Sequence, residues 1–151
     1  MLDPTLSESR YRKSVRAFFL HELETVRGKA VFFDRQYQIP KDDNGNELTN
    51  WIVIHILGPK LDTLSVGMLQ VYCFSRKDEG NLLLTDLVDD MLDIMIDETK
   101  TDGCVRVPFY DYENNVIGAM VGTIDTNGST QFGDDGTNYR MLTGILKWGA
   151  R

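Results

Sequence analysis

Residues 71–96 read VYCFSRKDEGNLLLTDLVDDMLDIMI, an apolar strand that runs through a polar break into an amphipathic helix. Extended backward to 64–76, the strand alternates. Val66, Met68, Gln70, Tyr72 and Phe74 fall on one side, and Ser65, Gly67, Leu69, Val71 and Cys73 on the other. Both sides are rich in apolar residues, which predicts a central strand with at least one face under helices. Past the break, Leu83, Leu84, Leu87, Val88, Met91, Leu92 and Met95 recur at helical spacing and form a stripe to be buried. The spacing predicts a helix from Asp78 or Asn81 to Glu98. At the usual rise it is about 28 Å long, enough to cross a small sheet. Asp97 and Glu98 then stand at its C-terminal end, where the helix dipole disfavours negative charge.

Working outward, Asp3-Pro4 is a helix start, an N-cap followed by proline in the first turn. Leu6, Tyr11, Val15, Phe18, Phe19, Leu23 and Val26 carry a helical period from residue 4 to 27, stopped by Gly28. Arg10, Arg12, Lys13 and Arg16 are read as the solvated outer side of this helix. Short strands are expected at 30–34 (AVFFD) and 51–57 (WIVIHIL), separated by the turn-rich 41–47 (KDDNGNE). Three more are expected at 104–111, 116–125 and 139–148, the first two joined by a turn at Glu113, Asn114 and Asn115. The glycine-rich 126–138 is expected to be a mobile or functional loop. The order α, β-rich, α, β-rich defines an α+β fold, with two main helices on a mixed or antiparallel sheet. One domain spanning 1–151 is expected.

Composition narrows the function classes. A net charge of −7 argues against general nucleic-acid binding, which needs clustered Lys and Arg. No stretch approaches the roughly 20 apolar residues of a membrane helix. The opening MLDPTLSESRYRKSVR has no apolar run behind its charges, so no signal peptide is expected. Cys73 and Cys104 are the only cysteines, and both are expected to be buried, reduced thiols.

Asp86, Asp90, Asp93 and Asp97 fall at i, i+4, i+7 and i+11, with Asp89 beside them. Carboxylates along a line do not converge on an ion, so this stripe is read as a wet face or an interface, not a metal site. A calcium loop starting at Asp42 fits at Asn44 and Asn46. It fails where glycine is needed (Glu47) and where the closing glutamate is needed (Val53). Neither His21 nor His55 sits in a nucleophile–base signature, and both are expected to be buried or half-buried and hydrogen-bonded. No catalytic, cofactor-binding or metal-ligating residue is therefore expected.

The whole order, carried best by residues 64–96 with QVYCFSRKDEGN leading directly into LLLTDLVDDMLDIMI, resembles the tail terminator proteins of tailed bacteriophages, the minor tail protein U type. The resemblance implies a non-enzymatic virion subunit, made in the bacterial cytoplasm, that forms a homo-hexameric ring. Such a ring caps the tail tube, ends its polymerisation and presents the surface for head–tail joining. The implied partners are copies of itself, the tail tube protein and a head-completion or connector protein, with DNA passing through without specific binding. Asp86, Asp90, Asp93 and Asp97 are then a lumen or interface stripe. The interface loops are marked by Asp42, Asp43, Asn44 and Asn46, and by Phe132, Asp134 and Asp135. The alternatives are another neck or head-completion protein, then a small enzyme.

Overall fold

The computed structural model describes residues 1–35 and 38–150. Among the described residues seven strands form one sheet: β1 (Val31–Phe33), β2 (Asn50–Ile56), β3 (Leu64–Arg76), β4 (Val105–Tyr110), β5 (Val116–Asn127), β6 (Gln131–Phe132) and β7 (Thr137–Gly149). Their order is β1-β2-β3-β7-β5-β4, and β6 also pairs β7. Only the β1–β2 pair is parallel, so the sheet is mixed and the α+β class holds. β3 lies in the middle and pairs with β7 along its full length, from Leu64↔Gly149 to Arg76↔Thr137.

The period of two in β3 sorts its faces. Gly67, Leu69, Val71 and Cys73 go under the helices, into a core with Ile52, Ile54, Val107, Met120, Leu142 and Leu146. Tyr72 and Phe74 go to the opposite face, into a second apolar cluster with Trp51 and Val53.

The first helix is longer in sequence than in α-conformation. Asp3 caps a 3-10 turn, Pro4–Leu6, and Ser7 Oγ accepts from Arg10 N to start α1 (Glu8–Phe19). Leu20–Val26 continues it as a π-helical stretch. It stops where Gly28 takes φ +65°, a conformation that costs glycine nothing.

Arg10 is not on the wet side. It is buried and donates Nη1 to Asp111 O at 2.7 Å, while Ser14 Oγ accepts from Tyr110 N at 3.0 Å. Two polar side chains of α1 thus bind the end of the edge strand β4. Tyr11 points inward, stacks on Trp148 at 4.8 Å and lies across Gly67.

The second helix, α2, is Leu82–Ile94, so its 13 residues span about 20 Å, not the longer rod expected. Leu84, Leu87, Val88, Met91, Ile94 and Met95 are buried, whereas Leu83 and Leu92 are only half-buried. Asp78 closes the N-terminus, its two oxygens accepting from Leu83 N and Leu84 N at 3.0 Å each. The early C-terminal stop has a visible cause. Ile96 pairs with Cys104, Asp97 N donates to Gly103 O, and Asp97 Oδ1 accepts from Thr99 N, folding 96–104 into a turn. Asp97 and Glu98 are off the helix, beyond its cap at Met95.

The 126–138 segment is also more ordered than expected. β5 reaches Asn127 and β6 pairs Gln131↔Tyr139 and Phe132↔Asn138, leaving a tight turn in which Gly133 N donates to Thr137 O. A Cβ on Gly133 would stand 2.7 Å from that carbonyl, which explains the glycine.

Candidate functional site

Directly opposed residues of antiparallel strands share a face, and on the face turned away from the helices the register lays side chains in rows. Trp51, Phe74 and Tyr139 make one row, and Val53, Tyr72 and Met141 the next. The rings pack on one another: Trp51 on Phe74 with centroids 5.2 Å apart, Phe74 on Tyr139 at 5.8 Å, and His55 edge-on to Tyr72 at 5.5 Å. Phe32, Ile39 and Leu48 pack against them from β1 and from the segment that follows it.

Above these rows lies a groove of about 530 Å³. Its walls are Arg35 and Gln38 after β1, and Gly133, Asp134 and Asp135 in the β6–β7 turn. The Arg35 guanidinium stands 4.6 Å over the Phe32 ring, held as a cation–π pair at the wall. Thr137 is buried at the groove, and its Oγ1 has no hydrogen-bond partner among the described residues. An aromatic floor with a few polar groups of both signs is able to hold an apolar or aromatic side group and orient it.

The predicted stripe divides into three environments. Asp86 and Asp89 are exposed. Asp90 is half-buried against the end of the first helix, with Oδ1 3.8 Å from Arg27 Nε and Oδ2 4.0 Å from Lys29 Nζ. Asp93 pairs with Arg27 Nη2 at 2.8 Å, and Asp97 belongs to the following turn. The four carboxylates therefore do not form one face, because α2 ends before Asp97 and Arg27 draws Asp90 and Asp93 into a tie between the helices. Burial raises the pKa of Asp90 against the opposing pull of Lys29 and Arg27. Burial also opposes the charge on Arg27, yet its hydrogen bonds to Asp93 and Glu22 hold its pKa above the ordinary value.

The loop residues also separate. Asp42 Oδ1 accepts from Asn44 N and Asn46 N, both at 2.9 Å, so it closes its own turn and leaves Asp43, Asn44 and Asn46 exposed at the tip. Asp134 and Asp135 reach the groove, but Phe132 does not. It is paired with Asn138, whose Nδ2 donates to Asn81 Oδ1 at the start of α2, so Phe132 points to the helix-bearing face. There it is 72% exposed.

His21 is exposed, contrary to expectation. Cys73 is buried and its thiol is pushed up to about 12 by burial, whereas Cys104 is half-buried, and both are free. Among the described residues no group of three His, Cys, Asp or Glu side chains is placed to hold a metal ion.

The groove residues come from four separate segments; the sequence marked Asp134 and Asp135 as loop residues but not the aromatic floor. The available signal was the aromatic alternation Trp51, His55 and Tyr72, Phe74 on the outer side of two adjacent strands.

No family model matches the chain, and no curated protein matches it in sequence. A solved structure matches 97% of this chain over 99% of its own length, with a TM-score of 0.64 at 10% sequence identity. That likeness shows the fold alone.

Proposed function

We propose that this chain is a structural subunit of the tail-terminator kind, which assembles with copies of itself into a ring that closes a phage tail tube. The observation that carries the reading is the uneven cover of the sheet. One face is sealed by two helices, while the other leaves an aromatic groove bracketed by Arg35 and Gln38 and by the β6–β7 turn. The floor rings Trp51 and Phe74 are buried within the subunit, and the groove left open above them is a place where an apolar group of another molecule can dock. The net charge of −7, with Asp86 and Asp89 exposed, fits a subunit beside DNA that must pass without being gripped. The hexameric state, the tube protein and a head-completion or connector protein as partners, and the virion location are parts of this proposal.

The test is the mass of the purified protein alone and after addition of phage tail tubes, with electron microscopy of the tube ends. Rings at tube ends, and tubes of one length only when the protein is present, are expected. A monomer that ignores tubes overturns the reading.

A further inference from the structure

The β6–β7 hairpin has two faces, and each carries a feature that a single subunit leaves unused. On its outer face lies the aromatic groove, where Thr137 Oγ1 has no hydrogen-bond partner among the described residues. On its helix-bearing face Phe132 stands exposed. Its cross-strand neighbour Asn138 is hydrogen-bonded to Asn81, and the next residue, Leu82, is 69% exposed. Phe132 is opposite one partner of that hydrogen bond and Leu82 follows the other in the chain, so two exposed apolar side chains (the knob) stand by this bond, with exposed Lys77 and Glu79 close by in the chain. The groove carries the matching signs, a cation in Arg35 and a carboxylate in Asp134.

We infer that the groove receives the Phe132–Leu82 knob of a second copy of this chain. The inference rests on the self-assembly reading above and deepens it by naming both halves of the contact. A phenyl ring and a leucine side chain suit an aromatic floor, and Lys77 and Glu79 offer the groove walls opposite charges. Because knob and groove lie on opposite faces, the contact cannot be reciprocal between the same two subunits. It is head-to-tail, the kind that closes into a ring when the rotation per subunit allows.

Head-to-tail contact makes a distinctive test available. Phe132→Ser removes the knob and keeps the groove, while His55→Glu places a charge in the groove and keeps the knob. Arg35→Glu, at the wall, is a second groove variant should His55→Glu not fold. Folding is checked by circular dichroism, and mass by sedimentation equilibrium up to about 1 mM protein, where weak specific contacts are populated.

The native chain is expected to self-associate and each variant to be monomeric. An equimolar mixture of knob and groove variants is expected to form pairs that stop at two, since each pair has one intact joint. If both variants associate like the native chain, another surface makes the joint: the inference falls and the ring reading stands. If both are monomeric and their mixture forms no pairs, the knob does not enter the groove. A native chain monomeric throughout, alone and with tubes, removes the inference together with the reading beneath it.

Discussion

Gly67 is the residue through which the first helix meets the sheet. A Cβ there would lie 2.2 Å from the Tyr11 hydroxyl, and Tyr11 cannot step aside because its ring is stacked on Trp148. Gly67→Ala is therefore expected to cost about 1–3 kcal/mol by overpacking. The same hydroxyl is buried with no hydrogen-bond partner among the described residues, and burial pushes its pKa up. Tyr11→Phe removes a desolvated polar group and keeps the stack, so stability is expected to hold or rise. Urea denaturation of both variants distinguishes the two effects. A costly Tyr11→Phe would show that the hydroxyl is satisfied after all.

Asp90 gives a pH-dependent version of the same cost. Its folded pKa is raised, so its contribution to stability is complete below the unfolded value of about 3.9 and is lost as the pH rises through the folded value. Asparagine does not ionise. Relative to the native chain, Asp90→Asn is expected to be more stable at neutral pH than at pH values below the unfolded pKa. The change is held to under about 1 kcal/mol by partial exposure and by the loss of the pairing with Arg27 and Lys29. A relative stability that runs the other way with pH would mean that those cations outweigh the burial.

Elements differed in how far the sequence disclosed them. β3 has the bounds that its alternation predicted, because its pattern persists over the whole strand and both faces are occupied. Leu84, Leu87, Val88 and Met91 of α2 are buried as their spacing required. Leu87→Ala or Met91→Ala is expected to cost about 2–5 kcal/mol, and Asp86→Asn well under 1 kcal/mol, by chemical denaturation. Similar losses at all three positions would contradict the burial of the stripe.

The end of α2 was not legible. The apolar period runs through Met95, and only the pairing of Ile96 with Cys104, eight residues away in sequence, withdraws the chain from the helix. The hairpin at 131–139 was hidden for a similar reason. β6 is two residues long, too short for any periodicity, and owes its existence to β7 beside it. The groove followed suit: its aromatic rows arise from register between strands, which residue spacing within one strand does not contain.

On the scale of the whole molecule, charge and apolar surface act in opposition. Subunits of net charge −7 repel each other, while the groove and the exposed Phe132 and Leu82 gain from contact. Raising salt from about 0.01 M to 0.15 M shortens the Debye length from about 30 Å to 8 Å and screens the repulsion. Self-association by the proposed contact is therefore expected to strengthen with salt, read as a rising weight-average mass. Weakening with salt would assign the contact to ion pairs instead.

The edge strand β4 limits growth on its side of the sheet. Pro108 interrupts its row of backbone donors, and α1 occupies its end through Ser14 Oγ on Tyr110 N and Arg10 on Asp111 O. An open strand edge is a template on which further chains can add without limit. Here that template is blunted by a residue without an N–H and by a helix belonging to the same subunit. Copies that meet at this edge must do so through side chains of defined shape, not by adding strands. On this side the sheet therefore resists growth strand by strand.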